Sequence, residues 1–491
     1  MSALFKNFLS TRSDKSYDPL TVFAFMLGIY GLINCLYYFS LTGPFKYLTL
    51  VSSLALLIFP HRPLSVAAFG LSSVAEYIYI APVYSNHLII AFLISFYISL
   101  SWIWCVIKER SINVDERSFY KRFAPGGRLA LITMYFFGVF QKINAPFLDP
   151  EISCATTLIH FFIFVPNGIV FPNVIYYAAS YGTLIIETVI ALLLFFPKTR
   201  YYAVVAGVAF HLLISLSAYR YYVPFTMLSI VMHSLFVDPD ILNRIRKTKW
   251  NALLKLNETL MGRLALLAPL LAGFMLYQYH YDFFEFHKVL PIWFILGLLL
   301  LIFITLFDRP EKPLKAEKHY MVSRFWPVNI IAALFFLSCF SPYIGFKTAH
   351  AISMFSNLHT EGGESNHYII QKPVYLFDYQ NDLVRILDTD DMSLEQYIHP
   401  DIAMIGYEFE SHMIDNPESY VKYERGGEVR VLKGLDEETY QEFYKPLWQR
   451  KFIVFAAVNT SKPRSCMDPT DVYRIKETPY LERWYLTHMK K

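Results

Sequence analysis

The sequence predicts an α-helical polytopic membrane protein of about eleven spans with a small C-terminal extracytoplasmic α/β domain. Three observations carry that expectation. Of 491 residues, 55% are hydrophobic and only 17% charged, less charge than a soluble chain of this size carries. The apolar residues fall in long blocks, many of them about 17–25 residues, the length that crosses a bilayer as a helix. After residue 344 the chain turns polar. Mean hydropathy is +0.34 and the net charge is +4. The basic residues cluster in short loops, which reads as membrane topology and not as nucleic-acid binding.

The elements follow in order. Residues 1–18 form a polar tail with Lys6, Arg12 and Lys15, read as cytoplasmic. It is not read as a cleavable signal, because the first apolar run behind it is a full span. Apolar runs lie near 19–41, 46–60, 64–82, 87–107, 128–144, 174–196, 201–219, 223–238, 263–281, 288–307 and 325–342. Together they define a transmembrane domain over 19–344. Basic residues mark alternate loops: Arg62; Lys108, Arg110, Arg117, Lys121, Arg122 and Arg128; Lys198 and Arg200; Arg244 to Lys255; Arg309 to Arg324. The intervening loops carry few. The positive-inside rule then places the amino terminus in the cytoplasm and residues 345–491 outside. Residues 151–170, with Cys154, His160 and Pro166, read as a segment on or within the outer leaflet.

Residues 345–491 contain strand-like stretches, Val429–Leu432 and Phe452–Val458, and helix-like stretches at 435–446 and 478–490. Three of the five cysteines, Cys35, Cys105 and Cys339, lie in expected spans, so no disulfide framework is implied.

Candidate chemistry gathers at ionisable residues in apolar runs. Lys142 ends the fifth run, where it is either a lysine reaching for the interface or a desolvated amine able to act as a general base. Asn86 and His87 open the fourth run on the same expected outer rim, as an interfacial pair or as proton-handling groups. Glu187 lies mid-span and His211 near the middle of the next. A carboxylate at that depth faces the bundle interior, and consecutive antiparallel spans could pair the two. Two ligands without a third make a weak metal signal. Gly126-Gly127 and Gly362-Gly363 are isolated pairs, and no phosphate-binding glycine loop is present.

These residues occur in the order and spacing of a known family. Asn86-His87, Lys142 with Phe147-Leu148-Asp149-Pro150, Glu187 ahead of Leu192–Arg200, Phe210-His211 and Met354–Leu358 together resemble the HTTM domain. That is the membrane domain of vitamin K-dependent gamma-glutamyl carboxylase and its bacterial relatives. The resemblance covers roughly residues 15–370. It implies a lysine base, matched by Lys142, that deprotonates reduced vitamin K or another quinol. Oxygen then converts the quinol to an epoxide, and the strong base so formed takes a γ-proton from a glutamyl side chain, to which carbon dioxide adds. It implies His87 beside the base, with Asn86, His160, Glu187 and His211 as candidates for holding the cofactor. The partners implied are the bilayer and a secreted peptide or protein substrate. A bacterial inner membrane is the expected location. The chain departs from the family at Ile143, where leucine is usual, and at Asn144, where the carboxylase has an acid. A second class of function is a non-catalytic HTTM membrane factor for maturation, export or immunity of a secreted peptide. A transporter is disfavoured by the lack of an inverted repeat.

Overall fold

The computed structural model describes residues 18–37, 44–82, 85–166, 169–217, 222–252, 289–308, 319–353, 355–460 and 466. Its helices in the apolar part are α1 (Asp18–Tyr37), α2 (Pro44–Ile58), α3 (Pro63–Ile80), α4 (Asn86–Glu109) and α5 (Glu116–Phe140). Two short helices follow, α6 (Ala145–Leu148) and α7 (Cys154–Ile159). Then come α8 (Asn173–Phe195), α9 (Arg200–Ser215), α10 (Tyr222–His233), α11 (Ile241–Arg246), α12 (Val289–Phe307) and α13 (Trp326–Ser338). Ten of the eleven expected runs therefore carry a helix. The run at 263–281 and the helix-like stretch at 478–490 lie outside the described residues.

Among the described residues five helices, α1, α3, α4, α5 and α8, are long and apolar enough to cross a membrane. Their environments differ. In α1, 89% of the apolar window is buried by protein, against 17% in α8. Val174, Ile185, Val189 and Leu192 of α8 are exposed. A helix that leaves such a face open is suited to lipid, whereas one buried all round belongs to a core.

The fifth run was expected at 128–144, yet α5 begins at Glu116, with Pro125 inside it. Its charged first turns hide it from a hydropathy reading. Arg128, expected in a basic loop, is buried within α5. It donates to the carbonyls of Leu235 (2.9 Å) and Tyr320 (2.8 Å), and its guanidinium lies 3.7 Å from the Tyr320 ring centroid. The Gly126-Gly127 pair is explained by close packing. A Cβ on Gly126 would fall 2.5 Å from Val328, and one on Gly127 2.6 Å from Leu235.

The chain divides into two compact units, each built from three stretches. Unit one holds 1–79, 90–132 and 189–333; unit two holds 80–89, 133–188 and 334–491. Within unit two a five-stranded sheet forms from β1 (Leu383–Thr389), β2 (Ile402–Ile405), β3 (Tyr420–Arg425), β4 (Glu428–Lys433) and β5 (Val458–Asn459). Every pairing is antiparallel, in the order β4-β3-β1-β2-β5. Helices α14 (Met392–Glu395), α15 (Gly406–Asp415), α16 (Glu437–Phe443) and α17 (Leu447–Phe452) accompany it. Val384, Ile386, Phe409, Met413, Val421 and Phe443 form its main core. Gly426-Gly427, both at positive φ, turn β3 into β4. The expected strand at 452–458 is mostly absent, because 447–452 is helical and only its end pairs as β5.

Candidate acid–base site

Helix α5 ends at Phe140, and the chain turns at once. The Lys142 amide donates to Val139 O at 3.0 Å, a tightened last turn. That turn points the Lys142 side chain back into protein. The residue is 7% exposed, so it is not an anchor reaching into water. Its ammonium meets both carboxylate oxygens of Glu187 on α8, at 2.8 and 2.6 Å. The Phe147 ring centroid lies 5.8 Å from Nζ, within cation–π reach. Gly138 lies one turn before Lys142, and a Cβ there would sit 3.5 Å from Glu187 Oε2, at ordinary contact distance. Consecutive spans suggested His211 as the partner of Glu187, but Glu187 takes Lys142. The contact closes a separation of 45 residues.

Residues 350–353 and 355–367 form a strap against this end of α5. Side-chain amides clamp it at both edges. Gln141 Nε2 donates to Cys339 O (3.1 Å) and Ala351 O (2.7 Å). Asn144 Nδ2 donates to Gln141 O (2.9 Å) and Ser356 O (2.7 Å), while its Oδ1 caps α6 by accepting from the Phe147 amide. Asn86 Oδ1 accepts from the Ile352 amide at 3.1 Å. Asn357 reaches the other way, accepting from Cys154 N and donating to Ile152 O. These clamps need an amide at residue 144. A carboxylate could cap α6 but could not donate to two carbonyls.

The strap is strained. His350, Ile352, Phe355 and Asn357 all have φ between +54° and +61°. For β-branched Ile352 this is a rare conformation, costing about 1–3 kcal/mol, and it persists only where surroundings over-determine it. Such strain clusters at functional sites.

His367 locks the far end. Its Nε2–H donates to Phe140 O at 2.7 Å, and its Nδ1 accepts from the amides of Ile369 and Ile370. A carbonyl can only accept and an amide only donate, so the ring is the neutral Nε2–H tautomer. Burial pushes its pKa below the ordinary histidine value, opposed by the bond to Phe140 O. The Tyr368 amide adds a bond to Ile143 O at 3.0 Å.

The other expected residues are placed as follows. His87, 4% exposed at the start of α4, pairs through Nδ1 with Ser85 Oγ at 2.5 Å. It belongs to the same unit as Lys142, but among the described residues it makes no contact with that lysine. Asn86 serves the strap. His160 ends α7 and lies 3.1 Å from Tyr176 Oη. His211 belongs to unit one, its ring among those of Phe210, Phe225 and His233. The structure thus brings Lys142, Glu187 and Asn86 to one strapped region and leaves His211 in another.

Three features escaped the sequence reading. The strap's clamps Gln141 and Asn357 were passed over. So were Lys46 and Glu76, both buried in apolar helices, although an acid inside an apolar run is the same signal that singled out Glu187. The third is a disulfide between Cys154 and Cys466, 312 residues apart, where no disulfide framework was expected. Spacing at that range carries no signal.

No family model, no curated protein and no solved structure matches this chain.

Proposed function

We propose that the protein is a carboxylase-like membrane enzyme that takes a proton from a reduced quinone or similar lipidic hydroxyl. The buried Lys142–Glu187 pair is the base. The observation that carries this reading is an amine at a span's end, shielded from water and held on a carboxylate, where a mere anchor would reach outward.

Two interacting groups act as one acid–base unit. The ammonium passes a proton to Glu187 Oε, which frees the Nζ lone pair. The substrate O–H bond then breaks, and its proton goes to Nζ. The substrate anion is left beside the restored ammonium. Phe147 offers an aromatic neighbour to a ring-bearing substrate. The clamped strap holds the lysine's turn in place, so positioning costs nothing at the moment of reaction. The HTTM resemblance supports the choice of a quinol such as reduced vitamin K.

The Cys154–Cys466 disulfide supports an extracytoplasmic site, since such bonds persist in oxidising compartments. The charge pattern of the loops supports the same side, with the amino terminus in the cytoplasm of a bacterial inner membrane.

The test is oxygen-dependent epoxidation of a reduced naphthoquinone by the purified protein. Lys142→Ala is expected to lose about 100-fold or more in rate, the usual worth of a positioned base. Equal turnover in both proteins, or none in the wild type, overturns the reading.

A further inference from the structure

Unit one buries a second lysine and glutamate that the chemistry above does not use. Lys46 on α2 is 2% exposed and Glu76 on α3 is 3% exposed. The Ser52 Oγ–Ser72 Oγ hydrogen bond, 3.0 Å, sets the register of the α2–α3 hairpin. One to two turns outward from that bond, along each antiparallel helix, place Lys46 and Glu76 at the same end. Their charges interact electrostatically. Yet they form no ion pair with each other, and both carboxylate oxygens of Glu76 are buried without a hydrogen bond. An ionised carboxylate in that state is costly. Something absent from the protein itself must satisfy it.

The surroundings favour the smallest candidate. Ser72 and Ser65 share a face of α3 with Glu76, and His61 lies in the turn before it; all are buried. Opposite them α2 presents Thr49, Ser52 and Ser53, also buried. The hydroxyls of Thr49 and Ser53 donate to helix carbonyls, and of Ser52 and Ser72 one donates to the other while the second can donate to a carbonyl of its own helix; hydroxyl oxygens that donate keep lone pairs able to accept. Helix packing alone accounts for a few such hydroxyls; it does not account for an orphaned acid at the end of the row. The other titratable groups are Cys35 of α1, whose thiol interacts with both charges, and Tyr77 on α3 itself. From α4, Ser95, Ile98 and Ser99 approach α3 at Gly70 and bring no charge. A metal cation is disfavoured by a lone carboxylate beside an ammonium.

We propose that Glu76 is a proton-binding site within the membrane unit. Lys46 is its counter-charge, and the serine face of α3 is its connection towards His61. Binding forms an O–H bond on a Glu76 oxygen and cancels the carboxylate charge. Release returns the proton to water, and no electrons move.

Dicyclohexylcarbodiimide tests this on the wild-type protein in liposomes. It adds to a protonated carboxyl in apolar surroundings and rearranges to a stable acylurea, which peptide mass mapping locates. The expected result is an adduct at Glu76 whose rate falls about tenfold per pH unit above its midpoint. Glu76→Gln removes the adduct, and Lys46→Met displaces the pH profile. No adduct at Glu76, a rate indifferent to pH, a Lys46→Met profile that coincides with the wild type, or protection by sodium ion overturns the proposal. The wild-type readings decide even if a variant fails to fold.

Discussion

Two buried lysine–glutamate sets, one in each unit, show what contact does to a charge inside apolar protein. Lys142 and Glu187 touch through two short hydrogen bonds. Lys46 and Glu76 interact without touching, and the Glu76 oxygens stay unpartnered. A closed pair satisfies itself and can hold or shift one proton internally. An open pair asks for something from outside. The same two residue types therefore close on each other in one unit and leave an acid unsatisfied in the other.

Removing each acid is the strongest way to break that comparison. Glu187→Ala leaves an unpaired buried ammonium and is expected to destabilise by about 3–5 kcal/mol. Glu76→Gln deletes a charge that has no hydrogen bond to lose, and is expected within about 1 kcal/mol of wild type. Thermal unfolding in one detergent measures both. Equal losses would dissolve the distinction.

A smaller effect tests what holds the closed pair. Asn144→Asp keeps the α6 cap but strips two carbonyls of their donor, at a cost of about 1–3 kcal/mol. Faster hydrogen exchange at residues 355–358, with the sheet unchanged, is the expected sign. Unchanged exchange there would mean that the amide clamp is not what seats the strap.

The smallest effect is set by pH. His367 is bound as a neutral ring, and its folded pKa lies below its unfolded value. Its contribution is fully present above the unfolded pKa, about 6.5. It is lost progressively as pH falls from there towards the folded value, because the unfolded chain takes the proton first. Exchange at the Ile369 and Ile370 amides is expected to quicken below about pH 6.5, and His367→Gln should flatten that response. A strap equally protected at acid and neutral pH would show that the ring bonds contribute nothing.

The apolar helices were legible because hydropathy averages over long windows. The same averaging hid Glu76, one acid in a window that still passes as a span. It also hid the first turns of α5. Lys142 and Glu187 were each legible as costly residues, but their meeting was not, since it depends on how α5 ends and α8 returns. The strap was the least legible part. Left-handed backbone at His350, Ile352 and Phe355 contradicts local preference, and side-chain amides distant in sequence, those of Asn86, Gln141 and Asn144 among them, hold it in place.

The discontinuity of unit two sets a schedule. The lysine is synthesised early, at position 142, but its strap arrives with residues 350–367 and the Cys154 partner only at 466. Between those points the end of α5 lacks the carbonyls that Gln141 and Asn144 clamp. Its surroundings are finished by residues far downstream, so a polypeptide halted before the strap would hold Lys142 and Glu187 without the side-chain bonds that clamp the turn carrying the lysine.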